Sequence, residues 1–132
     1  GYAERVVGNA RTLAAALAAE GMRPVTGGTD THLVLVDLSP SGVDGTTAER
    51  RCAAAGVTLN RNAVPFDPRP PSVTSGIRLG TPYVTSQGMG PDEMPEIASI
   101  VTQAVGNPNT VASLIARVRA LVGAHPAYRY NR

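Results

Sequence analysis

Few side chains in this chain are suited to chemistry, and three placements stand out. Arg78 lies in the run Thr74-Ser-Gly-Ile-Arg-Leu-Gly-Thr-Pro82. A guanidinium presents its N–H donors as a rigid fork, so it can take a carboxylate through two parallel hydrogen bonds. The glycine ahead of it lets backbone come close to a ligand. An arbitrary arginine more often pairs with a surface carboxylate, and that is the competing reading. Asn62 ends the triplet Asn60-Arg61-Asn62 and opens a proline-rich stretch. Its amide donates and accepts at once, or it closes an Asx-turn that starts the loop. Asp30 and His32 share one face of an extended segment, which allows an acid–base pair. The preferred reading is a turn whose polar side chains satisfy loop backbone.

Composition removes several classes of function. All twelve basic residues are arginine and there is no lysine, so this chain by itself cannot form a Schiff base with a carbonyl cofactor. The single cysteine, Cys52, excludes an intrachain disulfide and a cysteine metal cluster. His32 and His125 lie far apart without HxxxH spacing, which argues against zinc. A net charge of +2 and a pI near 9.1 are too mild for a nucleic-acid footprint. The longest apolar run, Leu13–Ala19, is far too short to span a membrane, and no signal peptide is evident. The chain opens on Gly1 rather than Met, with a helical pattern under way by Glu4. It therefore reads as a piece that begins partway along a longer protein.

The elements that must position these residues follow from periodicity. Val6, Ala10, Leu13, Ala14 and Leu17 predict a helix over 4–20 with Gly21 as its stop. A short strand at 23–26 is cut by Pro24, which suits a sheet edge. Residues 26–30 read as a turn, and 32–37, apolar on both faces, as the central strand. Thr46 and Glu49 form a capping box for a helix to about Ala55, ended by Gly56. Val57–Leu59 reads as a strand. Pro65, Pro68, Pro70 and Pro71 make 60–72 an extended, stiffened loop. The chain returns as a strand over 73–79, with Gly76 marking a bulge or a close backbone approach. Thr81 and Pro82 suggest a helix entry that Gly88 and Gly90 break. Two further helices are expected over about 91–105 and 110–122. The first carries Met94, Ile97, Ala98, Val101 and Val105; the second carries Val111, Leu114, Ile115, Val118 and Leu121. A polar tail ends the chain. Cys52 reads as inert core and Arg50-Arg51 as a solvated face. The expected fold is α+β in one domain over 1–132: a small, mainly antiparallel sheet with helices packed on one face.

Three ordered segments are distinctive together: Thr26-Gly-Gly-Thr-Asp-Thr-His-Leu33, Val57-Thr-Leu-Asn-Arg-Asn-Ala-Val-Pro-Phe-Asp-Pro68, and Thr74 to Pro82. This set resembles the C-terminal region of the serine hydroxymethyltransferase family, pyridoxal-phosphate enzymes of fold type I. That family's patterns run GGTDNH, NKN-x-VP and TSGIRxGTPA. The opening Tyr2…Val6-Val7-x-Asn9-Ala10…Leu13-Ala14 resembles the helix that precedes them. The similarity covers about residues 2–106 and is dense from 25 to 82.

The resemblance implies a one-carbon transfer between serine and tetrahydrofolate, giving glycine and methylene-tetrahydrofolate. Pyridoxal phosphate would be bound by a large domain that this chain lacks, and no catalytic residue is expected here. The chain would be catalytically silent alone. Arg78 matches the family's carboxylate-binding arginine. Asn62 matches the second Asn of NKN, on the folate side, with Arg61 in place of the lysine. Pro71 matches the central proline of a folate-side Ser-Pro-Phe element whose flanking residues differ here. Thr31 replaces the Asn before His32. Gln87 stands where the family usually has arginine. That departure keeps a related pyridoxal-phosphate transaldolase or α-methylserine hydroxymethyltransferase as the alternative, beside a separate non-catalytic subunit that completes such an enzyme. The expected partners are the large domain, serine or glycine, and tetrahydrofolate, in a cytoplasmic homodimer or homotetramer.

Overall fold

A computed structural model describes residues 1–25, 32–80 and 88–125. Four helices and four strands occur among them. The helices are α1 (Tyr2–Ala19), α2 (Gly45–Ala54), α3 (Met94–Gly106) and α4 (Val111–Ala124). The strands are β1 (Arg23–Pro24), β2 (Leu33–Asp37), β3 (Asn60–Asn62) and β4 (Gly76–Gly80). They form one sheet in the order β1-β2-β4-β3, and every neighbouring pair is antiparallel. The α+β architecture expected from the sequence is the one found.

Register decides which side chains share a face, because cross-strand partners point the same way and successive residues alternate. Val34 opposes Leu79 and Val36 opposes Ile77. All four are buried in a single core with Leu13 and Leu17 of α1, Ala48 and Cys52 of α2, Met94 and Val101 of α3, and Leu114 of α4. Burying each Val, Leu, Ile or Met among them contributes roughly 1.5–3 kcal/mol. On the opposite face Leu33 and Leu35 are only half-buried, and Arg78 and Asn60 are exposed. The helices thus clothe one side of the sheet. β2 is central, as expected. However, its residues alternate between buried and half-buried rather than being buried on both faces.

Local chemistry fixes most element ends. α1 stops where Gly21 takes a φ of +95°, which lets Gly21 N donate to Ala18 O and Met22 N to Leu17 O, both at 3.0 Å. Asn9, buried in the middle of α1, donates from Nδ2 to Met89 O at 3.0 Å and so ties this helix to the segment ahead of α3. Pro95 falls in the first turn of α3, where its missing N–H has no intrahelical partner to lose.

Three expectations are corrected. The cap of α2 is Asp44, whose Oδ1 accepts from Thr47 N at 2.7 Å. Glu49 instead faces β3, so Thr46 and Glu49 form no capping box. The strand expected at Val57–Leu59 lies at Asn60–Asn62, paired with Gly76–Arg78. Backbone pairing, rather than apolar content, defines this polar edge strand. Finally, of the α4 stripe only Leu114 is buried, with Val111, Val118 and Leu121 partly packed against the core. The helix entry at Thr81-Pro82 and the turn at 26–30 lie outside the described residues, as does the polar tail beyond His125.

Candidate functional site

The open face of the sheet brings Arg78 and Asn62 together. Arg78 occupies the middle of β4, flanked by Leu35 on β2 and Asn60 on β3. It is exposed, and among the described residues its guanidinium has no hydrogen bond or ion pair. The competing reading, a surface salt bridge, has no counterpart among the described residues. Several other arginines are engaged: Arg61 with Glu49 at 2.7 Å, Arg117 with Glu96 at 2.7 Å, and Arg23 with Asp37 at 3.9 Å. Arg61 sits between Asn60 and Asn62 in the strand and so points to the helix face, where Glu49 also accepts from its backbone N–H at 3.2 Å.

Asn62 opposes Gly76, two residues along β4 from Arg78 and on the same face. Such diagonal neighbours lie about 7–8 Å apart. Asn62 is half-buried, and its Nδ2 donates to Ala63 O at 2.9 Å. The side chain serves the loop, although as a donor to the next carbonyl rather than through an Asx-turn. Pro71 is exposed in a turn closed by Val73 N donating to Pro70 O at 2.9 Å.

Gly76 is a point of close approach. A Cβ there would meet Asn62 O and Val64 Cγ1 at 2.7 Å and Val36 O at 2.9 Å. The start of the proline-rich loop therefore packs against the Gly76 end of this face, while Arg78 is exposed among the described residues.

Sequence reasoning did not single out Asp67, which organises that loop. Its Oδ2 accepts from Val64 N at 3.2 Å and Ser75 N at 2.7 Å, and its Oδ1 accepts from Arg69 N at 2.9 Å and the Ser75 hydroxyl at 2.6 Å. Arg69 Nη1 donates to the same hydroxyl at 2.9 Å. Desolvation works against its ionisation, but the hydrogen bonds from the Ser75 hydroxyl and from the amides of Arg69, Ser75 and Val64 outweigh it. They hold the carboxyl well below the usual range. Beside it, Thr74 is held at a φ of +64°, a genuine outlier for a β-branched residue. The only sequence signal for this knot was an aspartate among prolines, which reads as a turn.

The remaining candidates separate from this site. His32 is exposed at the start of β2, while Asp30 and Gln87 lie outside the described residues. Cys52 is fully buried, and burial pushes its thiol up to about 12, in keeping with inert core. Arg50 is exposed, but Arg51 is not simply a solvated charge. Its Nη1 donates to Val105 O at 2.6 Å, satisfying a terminal carbonyl of α3 and joining α2 to it. Among the described residues no helix is long and apolar enough to cross a membrane.

Among the described residues, the helices pack on one face of the sheet, and the other face carries the exposed Arg78 guanidinium near the Asn62 amide. The sequence model of serine hydroxymethyltransferase matches residues 1–101. A serine hydroxymethyltransferase of Desulforapulum autotrophicum is 50% identical over 128 residues, which cover 97% of this chain and 31% of that protein. One from a Marinomonas species is 44% identical over 136 residues, covering 97% and 32%. The chain belongs to the serine hydroxymethyltransferase family, and it spans about a third of the length of these curated relatives.

Proposed function

We propose that this chain is the small, C-terminal domain of a serine hydroxymethyltransferase, and that Arg78 takes the α-carboxylate of serine or glycine. The observation that supports the reading is the exposed guanidinium, unpaired among the described residues, at the middle of β4 within the Thr74–Pro82 motif. Asn62, on the same face, is the proposed folate-side contact, with Pro71 on the loop beyond it.

The residues present suit a carboxylate and a heterocyclic edge better than they suit the cofactor. The chain has no lysine, so a covalent link to pyridoxal phosphate belongs to the remaining two-thirds of the protein. When bound there, the cofactor supplies the electron sink for breaking a bond at the amino acid's α-carbon. Arg78 would fix the carboxylate through two hydrogen bonds, and that fixes the direction of the bond to be broken. Leu35 and Asn60 beside it limit where the carboxylate can sit. In isolation the chain is expected to be inactive.

The test is Arg78→Ala in the full-length protein. Where the rest of the full-length protein encloses this site, a carboxylate left without its partner costs about 3–5 kcal/mol, so serine affinity falls several hundredfold or more and turnover nearly vanishes. Arg78→Lys rescues in part, since a point charge does not reproduce the fork. Affinity within about threefold of the parent, a cost below 1 kcal/mol, overturns the reading. Running the parent with serine, α-methylserine and threonine, with and without tetrahydrofolate, fixes which substrate the site takes.

A further inference from the structure

We propose that Asp67 is a positioning residue for Arg78: a four-bond carboxylate latch that sets the register of β4 and of the loop beside Asn62. The proposal rests on Arg78 being the carboxylate-binding group. Both oxygens of Asp67 accept two hydrogen bonds. Besides Arg69 N, the donors come from Val64, two residues after Asn62, and from Ser75, three residues before Arg78. One side chain thus joins the approach to each of the two open-face residues.

The segment it latches is held in an unfavourable shape. Thr74 stays at a φ of +64° because its surroundings over-determine it. Its N–H donates to Pro70 O at 2.9 Å, its carbonyl accepts from Gly45 N at 2.9 Å, and its hydroxyl donates to Gly76 O at 3.1 Å. Gly45 itself has no room for a side chain, since a Cβ would lie 2.7 Å from Val73 O and 2.8 Å from Gly76 O. Strain of this kind holds only while the clamps hold. Asp67 supplies the clamp immediately after Thr74, and Gly45 the clamp across from it. Release of Ser75 lets Thr74 relax, and the residues that follow it are Gly76, Ile77 and Arg78. The carboxylate stays ionised throughout the neutral range, so the latch is closed under working conditions.

Asp67→Asn is isosteric but replaces one acceptor oxygen by an NH2 donor, which faces two N–H or O–H donors and must break their bonds. In the full-length protein, Asp67→Asn is expected to weaken serine affinity about tenfold or more, from two lost bonds to a charged acceptor. A structural defect unrelated to Arg78 would multiply with Arg78→Ala, whereas a residue acting through Arg78 does not. The double variant is therefore expected to bind serine within about threefold of Arg78→Ala alone. Multiplying losses overturn the inference, as does a single Asp67→Asn variant within about threefold of the parent. If Arg78→Ala itself leaves affinity unchanged, the function proposed above fails and this inference fails with it. Should Asp67→Asn not fold, Ser75→Ala removes only the hydroxyl's bonds. It is expected to lose affinity several-fold, again not on the Arg78→Ala background. Unchanged affinity in Ser75→Ala overturns the inference.

Discussion

Gly76→Ala is the sharpest probe of how this sheet is built. The added methyl would face three heavy atoms inside 3 Å: Asn62 O at 2.7 Å, Val64 Cγ1 at 2.7 Å and Val36 O at 2.9 Å. Val64 can give by rotating, but the two carbonyls belong to β3 and β2, which flank β4 on either side. Neither can retreat by the half ångström or more required without opening the ladder that pairs Gly76 with Asp37 and Asn62. Overpacking at ordinary core sites costs about 1–3 kcal/mol. With backbone on both sides the upper end applies, about 3 kcal/mol, or roughly a hundredfold in the folding equilibrium. The change is read from urea unfolding of the full-length protein, followed by a probe confined to this region, as a lower midpoint with an unchanged slope. Serine affinity should fall as well, because Arg78 is two residues away. A midpoint shift corresponding to less than about 0.5 kcal/mol would refute the reasoning and mean that the strands part more easily than their register implies.

Three more outcomes follow from the same structure. Gly8→Ala, in the interior of α1 where nothing lies within 4 Å of the new methyl, should stabilise by about 0.8–1 kcal/mol, seen as a higher urea midpoint. Cys52 should resist thiol reagents in the folded protein and react once unfolded, by peptide mapping. Its folded value of about 12 lies above the ordinary 9.0, so its contribution to stability is complete below pH 9.0 and is lost as the pH rises toward 12. Asn62→Ala should weaken tetrahydrofolate-dependent turnover several-fold, a hydrogen bond's worth of about 0.5–1.5 kcal/mol, while sparing folate-independent aldol cleavage. Equal loss in both reactions would make it a loop residue only.

The helices and the central strand were legible because each is an apolar periodicity long enough to outweigh local noise. α1 and α3 declare themselves through Val6–Leu17 and Met94–Val105. β3 was misplaced because an edge strand needs only backbone pairing. Val57-Thr58-Leu59 has the more strand-like composition, yet Asn60-Arg61-Asn62 holds the register. The cap of α2 was misassigned because Thr46 and Glu49 fit the spacing while Asp44 makes the bond. Arg78 is singled out by its motif, whereas its exposure, with no partner among the described residues, is legible only in the fold. Asp67 went unnoticed because its donors, Val64 and Ser75, are eight residues or fewer away but meet only once the loop has closed on β4.

The lateral margins of the sheet are blunt. β1 is two residues long and contains Pro24, which lacks an N–H; β3 is three residues long and is followed by proline-rich backbone. Short, proline-marked margins offer no template for a further strand. Longer, unmarked margins would invite strand addition between copies. With those margins blunted among the described residues, the route left to a partner is from above, through side chains, with the exposed Arg78 guanidinium among the groups it meets.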